Sequence, residues 1–325
     1  MKLPYADVSI DKKGAFADPA ELDTLDDLLT EKRPTDVLVL AHGWNNSPGQ
    51  ARDLYTKLVD SIVAVRGDVQ GARARRFVVV GAIWPSIQWA PDESDGAGAS
   101  AGGPAAALAE LVTQRIESPA IRKRLLALIP DLETDPAARA EFLTQLRKSV
   151  PARVLSDTGA DGDTPPTRFA TGDADDVFAV VSGTPGRRRR GSDGAAGGAA
   201  SVGGTGGGSG AQDGGAPNGG GAGFSLGGFF DAARNLVNIT TFYTMKDRAG
   251  VIGKKGIAPL LDRLHAGAPD AKLHLVGHSF GGRAVTAAAL AAAAPISSVT
   301  LLQAAYSHYG LARNWDRDDW DSPGV

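Results

Sequence analysis

Two unbroken apolar runs, Val37-Leu38-Val39-Leu40 and Phe77-Val78-Val79-Val80, constrain this chain more than any other feature. A strand with one wet face alternates apolar and polar residues, whereas a strand covered on both faces is apolar throughout, as in parallel sheets flanked by helices. Between the runs, Ser47-Pro48 supplies a helix cap and first turn, and Leu54, Leu58, Ile62 and Val65 recur at three- and four-residue spacing. Strand, helix, strand in that order predicts a right-handed crossover and a parallel sheet. The alternation returns late in the chain. A helix through Ile257, Leu260, Leu261 and Leu264 precedes a strand over Leu273 to Val276, an Ala-rich helix from Arg283 to Ala293 and a strand over Val299 to Leu302. At the start, Ala6, Val8 and Ile10 alternate with Asp7 and Ser9 before the turn Asp11-Lys12-Lys13-Gly14, which predicts a short edge strand.

The middle, about Trp89 to Gly227, carries helical rather than strand periodicity. Leu108, Leu111, Val112 and Ile116, then Leu125 and Leu128, then Phe142, Leu143 and Leu146 predict three amphipathic helices separated by prolines. Beyond Ser156 the composition turns to Asp, Gly, Ser, Thr and Pro, and between Gly191 and Gly223 almost nothing is available to bury, so disorder is expected there. The run Arg187-Arg188-Arg189-Arg190 at its border reads as a solvated linker. The expected organisation is one core domain with an insertion. Residues 1–88 and 228–310 build the core, 89–155 a helical cap, 156–227 a disordered Gly-rich linker and 311–325 a polar tail.

Charge and composition narrow the function. Lysine plus arginine (34) nearly balances aspartate plus glutamate (37), and a net charge of −3 supplies no broad basic field for nucleic acid. Cysteine is absent, which excludes disulfides and thiolate metal sites. No stretch approaches the roughly 20 apolar residues of a membrane span. The first residues lack the apolar run of a signal peptide, so a cytoplasmic protein is expected.

The chemistry gathers at Lys272-Leu273-His274-Leu275-Val276-Gly277-His278-Ser279-Phe280-Gly281-Gly282. This stretch satisfies G-x-S-x-G directly after a buried strand and directly before a helix. A serine on so tight a bend leaves no room for side chains two positions before and after it, hence Gly277 and Gly281. Ser279 is then expected to project above the sheet edge, with the amino end of the next helix beneath it to stabilise negative charge. Gly250 to Gly256 lacks the spacing of a phosphate loop and reads as a helix-joining turn.

With this motif and with His42-Gly43-Trp44 at the end of the early strand, the chain resembles the α/β-hydrolase superfamily in its lipase and esterase-like branch. The resemblance covers residues 36–84 and 250 to about 310. It implies a doubly wound, mostly parallel α/β sheet, with the inserted middle in the place of a variable cap. It also implies Ser279 as nucleophile and the amides of Trp44 and Phe280 as the oxyanion hole, with His42, Gly43, Gly277, His278 and Gly281 shaping the site. The implied reaction is hydrolysis of a small-molecule ester or related acyl bond through an acyl-serine, without metal or organic cofactor. Phe229, Phe230, Leu236, Val237, Phe242, Tyr243 and Met245 form an apolar segment that reads as helix core and is also placed to wall an acyl pocket.

A serine hydroxyl needs a base, normally a histidine held by a carboxylate. The family places acid and histidine on loops after later strands. The chain beyond Leu302 is too short for two more strands when one βαβ unit takes about 30 residues, so truncation before these groups is expected. Of the five histidines, His308 alone lies on a loop after the nucleophile, and it is the candidate base. Asp316, Asp318, Asp319 and Asp321 offer carboxylates in what reads as a solvated tail. A second class of function stays open, a binding or scaffold protein that keeps the fold without the chemistry. Without later strands, an unpaired sheet edge beside Val299 to Leu302 is expected to favour self-association.

Overall fold

The structure, a computed structural model, describes residues 2–86, 103–156, 167–181 and 228–305. Five strands form one all-parallel sheet: β1 (Tyr5–Ser9), β2 (Asp36–Ala41), β3 (Phe77–Ile83), β4 (Lys272–His278) and β5 (Ile296–Leu302). Their spatial order is β1-β3-β2-β4-β5. The apolar runs are explained by their two covered faces. Val37, Val39 and Ala41 pack with Leu25 and Leu29 of α1 (Pro19–Lys32), while Leu38 and Leu40 face Tyr55 and Val59 of α2 (Pro48–Val65).

Helix α1 is absent from the sequence reading, although its start follows a familiar rule. The Asp18 carboxylate accepts from the Ala20 N–H, Pro19 opens the first turn, and Leu22, Leu25 and Leu29 are buried. The same opening heads α2, where Ser47 and Gln50 cap each other reciprocally.

Between β3 and β4 the chain leaves the sheet and builds a second core. The three predicted helices are α3 (Gly103–Arg115), α4 (Pro119–Leu128) and α5 (Pro136–Ser149), followed by α6 (Ala152–Ser156). Residues 167–181 fall within the span expected to be disordered linker, yet they form α7 (Thr167–Thr171) and α8 (Ala174–Val181). Phe169, Val177 and Phe178 drive this by burying in the cap, and Arg147 donates to the carbonyls of Phe169 at 2.7 Å and Gly172 at 2.6 Å. The stretch Gly191 to Gly223 and the tail 311–325 lie outside the described residues.

Helix α9 (Gly228–Ile252) is a beam shared by two cores. Phe230, Leu236 and Val237 bury in the cap, and Met245, Ala249 and Ile252 bury beneath the sheet. Gly253–Ile257, expected as a joining turn, is a π-helical turn that carries α9 unbroken into α10 (Ala258–Gly267). It packs so tightly on α11 (Phe280–Ala291) that a Cβ on Gly253 would stand 2.8 Å from the Ala287 Cβ. Among the described residues, no helix is long and apolar enough to cross a membrane.

The strand order positions the site. β2 connects through α2 to β3 on one side, and β4 connects through α11 to β5 on the other. Two right-handed crossovers departing in opposite directions put α2 and α11 on opposite faces, as observed. The carboxyl ends of β2 and β4 therefore flank the point where the winding reverses, the crevice that open α/β sheets use for ligands.

Candidate active site

A single residue, Ser279, separates β4 from α11, with φ 54° and ψ −123°. Such a backbone costs on the order of 1–3 kcal/mol and persists only where its surroundings over-determine it. Three hydrogen bonds do so: the Ser279 N–H donates to the Leu302 carbonyl at 3.0 Å, and its carbonyl accepts from Gly282 at 2.9 Å and Ala305 at 3.0 Å. The end of β5 thus clamps the bend. The predicted glycines are steric necessities. A Cβ on Gly277 would lie 2.6 Å from the Gly282 Cα, and one on Gly281 would lie 2.6 Å from the His42 carbonyl oxygen and closer still to that of Ala41. Ser279 is half-buried, and its hydroxyl does not cap α11.

Gly43 meets this bend from the end of β2. A Cβ there would stand 2.8 Å from the Ser279 Cβ and 3.1 Å from Nδ1 of His278. Trp44 follows and packs edge-on against Phe280, with ring centroids 6.0 Å apart, and Phe280 touches Phe242 of α9 at 5.1 Å. Neither the Trp44 nor the Phe280 backbone N–H donates to a described residue, and Phe280 opens α11, where the amide has no intrahelical acceptor.

His42 is sealed inside the turn, and both its ring nitrogens are used. Nε2 accepts the Trp84 backbone N–H at 3.2 Å, which leaves the ring proton on Nδ1 to be donated to the Gly43 carbonyl at 3.0 Å. Trp84 stacks on the imidazole at 5.3 Å and donates its indole N–H to the His42 carbonyl. The Tyr55 hydroxyl accepts from the His42 N–H and donates to the Ala82 carbonyl, each at 2.8 Å. Burial lowers the His42 pKa to about 4, opposed by the bond to Gly43 and assisted by the nearby His278. An imidazole so enclosed shapes the turn and carries no proton to Ser279. Asn45 continues the turn at φ 63°, a conformation asparagine tolerates, and Ser86 secures it by accepting the N–H groups of Asn45 and Asn46, each at 3.1 Å.

Among the described residues, no histidine is hydrogen-bonded to the Ser279 hydroxyl, although His278 precedes it in the chain. His278 lines a cleft of about 200 Å³ on the α2 side of the sheet with Tyr55, Leu58, Val276 and Leu302, and Ser279 is not part of that lining. His308 and the acidic tail lie outside the described residues. His274 joins a chain of hydrogen bonds that sequence reasoning missed: its Nε2 lies 3.0 Å from the Asp36 carboxylate and its Nδ1 2.8 Å from the Ser298 hydroxyl. Carboxylate, imidazole and hydroxyl stand in line here, but five positions up the strand, roughly 16 Å from Ser279. Arg75 occupies the same carboxylate with two donors. The chain ties β2, β4 and β5 together near their amino ends. Tyr55, Trp84 and Ser86 were also missed, because nothing near them in sequence marks them as supports of a distant turn.

Comparison of the chain with known protein families, with curated proteins and with solved structures finds no match. A functional reading therefore rests on the chain's own residues.

Proposed function

We propose that the chain is a serine hydrolase of the α/β-hydrolase type, in which Ser279 attacks an ester or related acyl bond of a small molecule. The observation that carries this reading is the strained Ser279 bend, held against Gly43 where the winding of the sheet reverses. Ser279 Oγ adds to the carbonyl carbon and gives up its proton to a base, for which His308 is the candidate. The oxyanion formed meets the N–H groups of Trp44 and Phe280 and the amino end of α11. Losing one such donor costs roughly 2.7–4 kcal/mol. Collapse expels the alcohol and leaves an acyl-serine, which water then hydrolyses. Phe242 and Phe280 supply an apolar wall for the acyl chain.

A fluorophosphonate probe is expected to add to wild-type protein at Ser279 and not to Ser279→Ala, read by intact mass and peptide mapping. A folded wild-type protein that takes up no label sinks the hydrolase reading and favours the second one, the same fold used for binding without catalysis.

We also propose that two copies pair through β5. This strand is a sheet edge among the described residues, seven residues long without charge or proline, and Val299 is exposed. The opposite edge, β1, carries Asp7 paired with Arg52, the kind of charge that blunts edge pairing.

A further inference from the structure

We infer that the substrate carries a carboxylate, held by Arg115 and the indole N–H of Trp44; this rests on Ser279 being the nucleophile. Arg115 is the last residue of α3, and its guanidinium lies over the Trp44 indole, with Cζ 5.4 Å from the ring centre. Trp44 directly follows Gly43, which abuts Ser279. A group bound on this indole therefore stands beside the reacting carbonyl.

Both donors are orphaned. Nε of Arg115 and Nε1 of Trp44 are buried, and neither has an acceptor among the described residues. The nearest acid in sequence, Glu117, is already engaged by Arg248 and Lys12. Partial burial lowers the pKa of Arg115 below its ordinary value. Unpaired buried donors are costly, and a guanidinium fork matches a carboxylate in shape as well as charge. A neutral ester leaves both donors unpaired, whereas an ester with a nearby carboxylate satisfies them. Sites built to hydrogen-bond a group discriminate strongly against analogues that lack it.

The test measures kcat/KM for 4-nitrophenyl acetate, for mono-4-nitrophenyl succinate with its charge on the acyl side, and for 4-acetoxybenzoate with its charge on the leaving group. Comparing anionic-to-neutral ratios between proteins cancels the intrinsic reactivity of each ester. For at least one anionic ester the ratio is expected to fall tenfold or more in Arg115→Gln and to recover in part in Arg115→Lys. Ratios within twofold of wild type for both anionic esters overturn the inference and leave the hydrolase reading intact. Should Arg115→Gln fail to fold, Trp44→Phe, which removes the indole N–H, is expected to lower the same ratio, and an unchanged ratio counts against the site. If no ester is turned over, the hydrolase reading fails, and calorimetric titration with succinate decides the anion site alone. Saturable binding to wild type that is lost in Arg115→Gln sustains it, and no binding to wild type removes it.

Discussion

At the scale of single residues, His42 ties the stability of the protein to pH. Its folded pKa of about 4 lies below the ordinary 6.5 because burial disfavours the imidazolium. Between those values the unfolded chain binds more protons than the folded one. The stabilisation is therefore complete above about pH 6.5 and drains as pH falls toward 4, by roughly 3 kcal/mol. Urea titrations across this window are expected to show that loss in wild type and a flatter profile in His42→Gln. Equal slopes for the two proteins would mean that His42 is not held neutral. The need for glycine at 277 and 281 was readable from sequence, since a serine on a tight strand-to-helix bend crowds its own near neighbours. That His42 shapes the site was implied by the resemblance, but the groups that hold it, Tyr55 and Trp84, were not readable, because they come from α2 and the end of β3.

At the scale of elements, α2 does more than cover the sheet. Through Tyr55 it supports two buried backbone groups at once, the His42 N–H and the Ala82 carbonyl. Tyr55→Phe keeps the ring and strands both groups, so a loss of about 1–3 kcal/mol is expected in urea unfolding, with slower fluorophosphonate labelling as the Gly43 turn loosens. Full stability and an unchanged labelling rate would show the hydroxyl to be incidental. Helix α2 followed from apolar spacing and its Ser47-Pro48 start, and α3 to α5 from apolar spacing between prolines. Helix α1 carries the same marks, at Asp18-Pro19 and at Leu22, Leu25 and Leu29. Helices α7 and α8 escape a reading by composition for a different reason. Both are short and are bordered by Gly-, Asp- and Thr-rich chain, so the apolar run of α8 and Phe169 of α7 become stabilising only when the cap gives them partners.

At the scale of the whole molecule, α9 joins the cap core to the sheet core, and β5 leaves one flank of the sheet open among the described residues. Sedimentation velocity at rising concentration is expected to show dimers through pairing of β5 with its copy. Val299→Lys, which puts a charge on that edge, is expected to return the protein to monomer without altering its circular dichroism. Wild-type protein that stays monomeric at high concentration would refute the pairing.

The sequence by itself determined which runs become covered strands, where α2 begins, and why glycines must flank Ser279. These properties follow from contacts within a few residues, so they leave a periodic or steric mark in the local pattern. Only the tertiary structure decided that the end of β5 clamps the bend, that Tyr55 and Trp84 hold His42, and that Arg115 lies on Trp44. Each is a contact between segments brought together by the crossovers of the sheet and the insertion of the cap, and such a contact imposes no spacing rule on either segment alone.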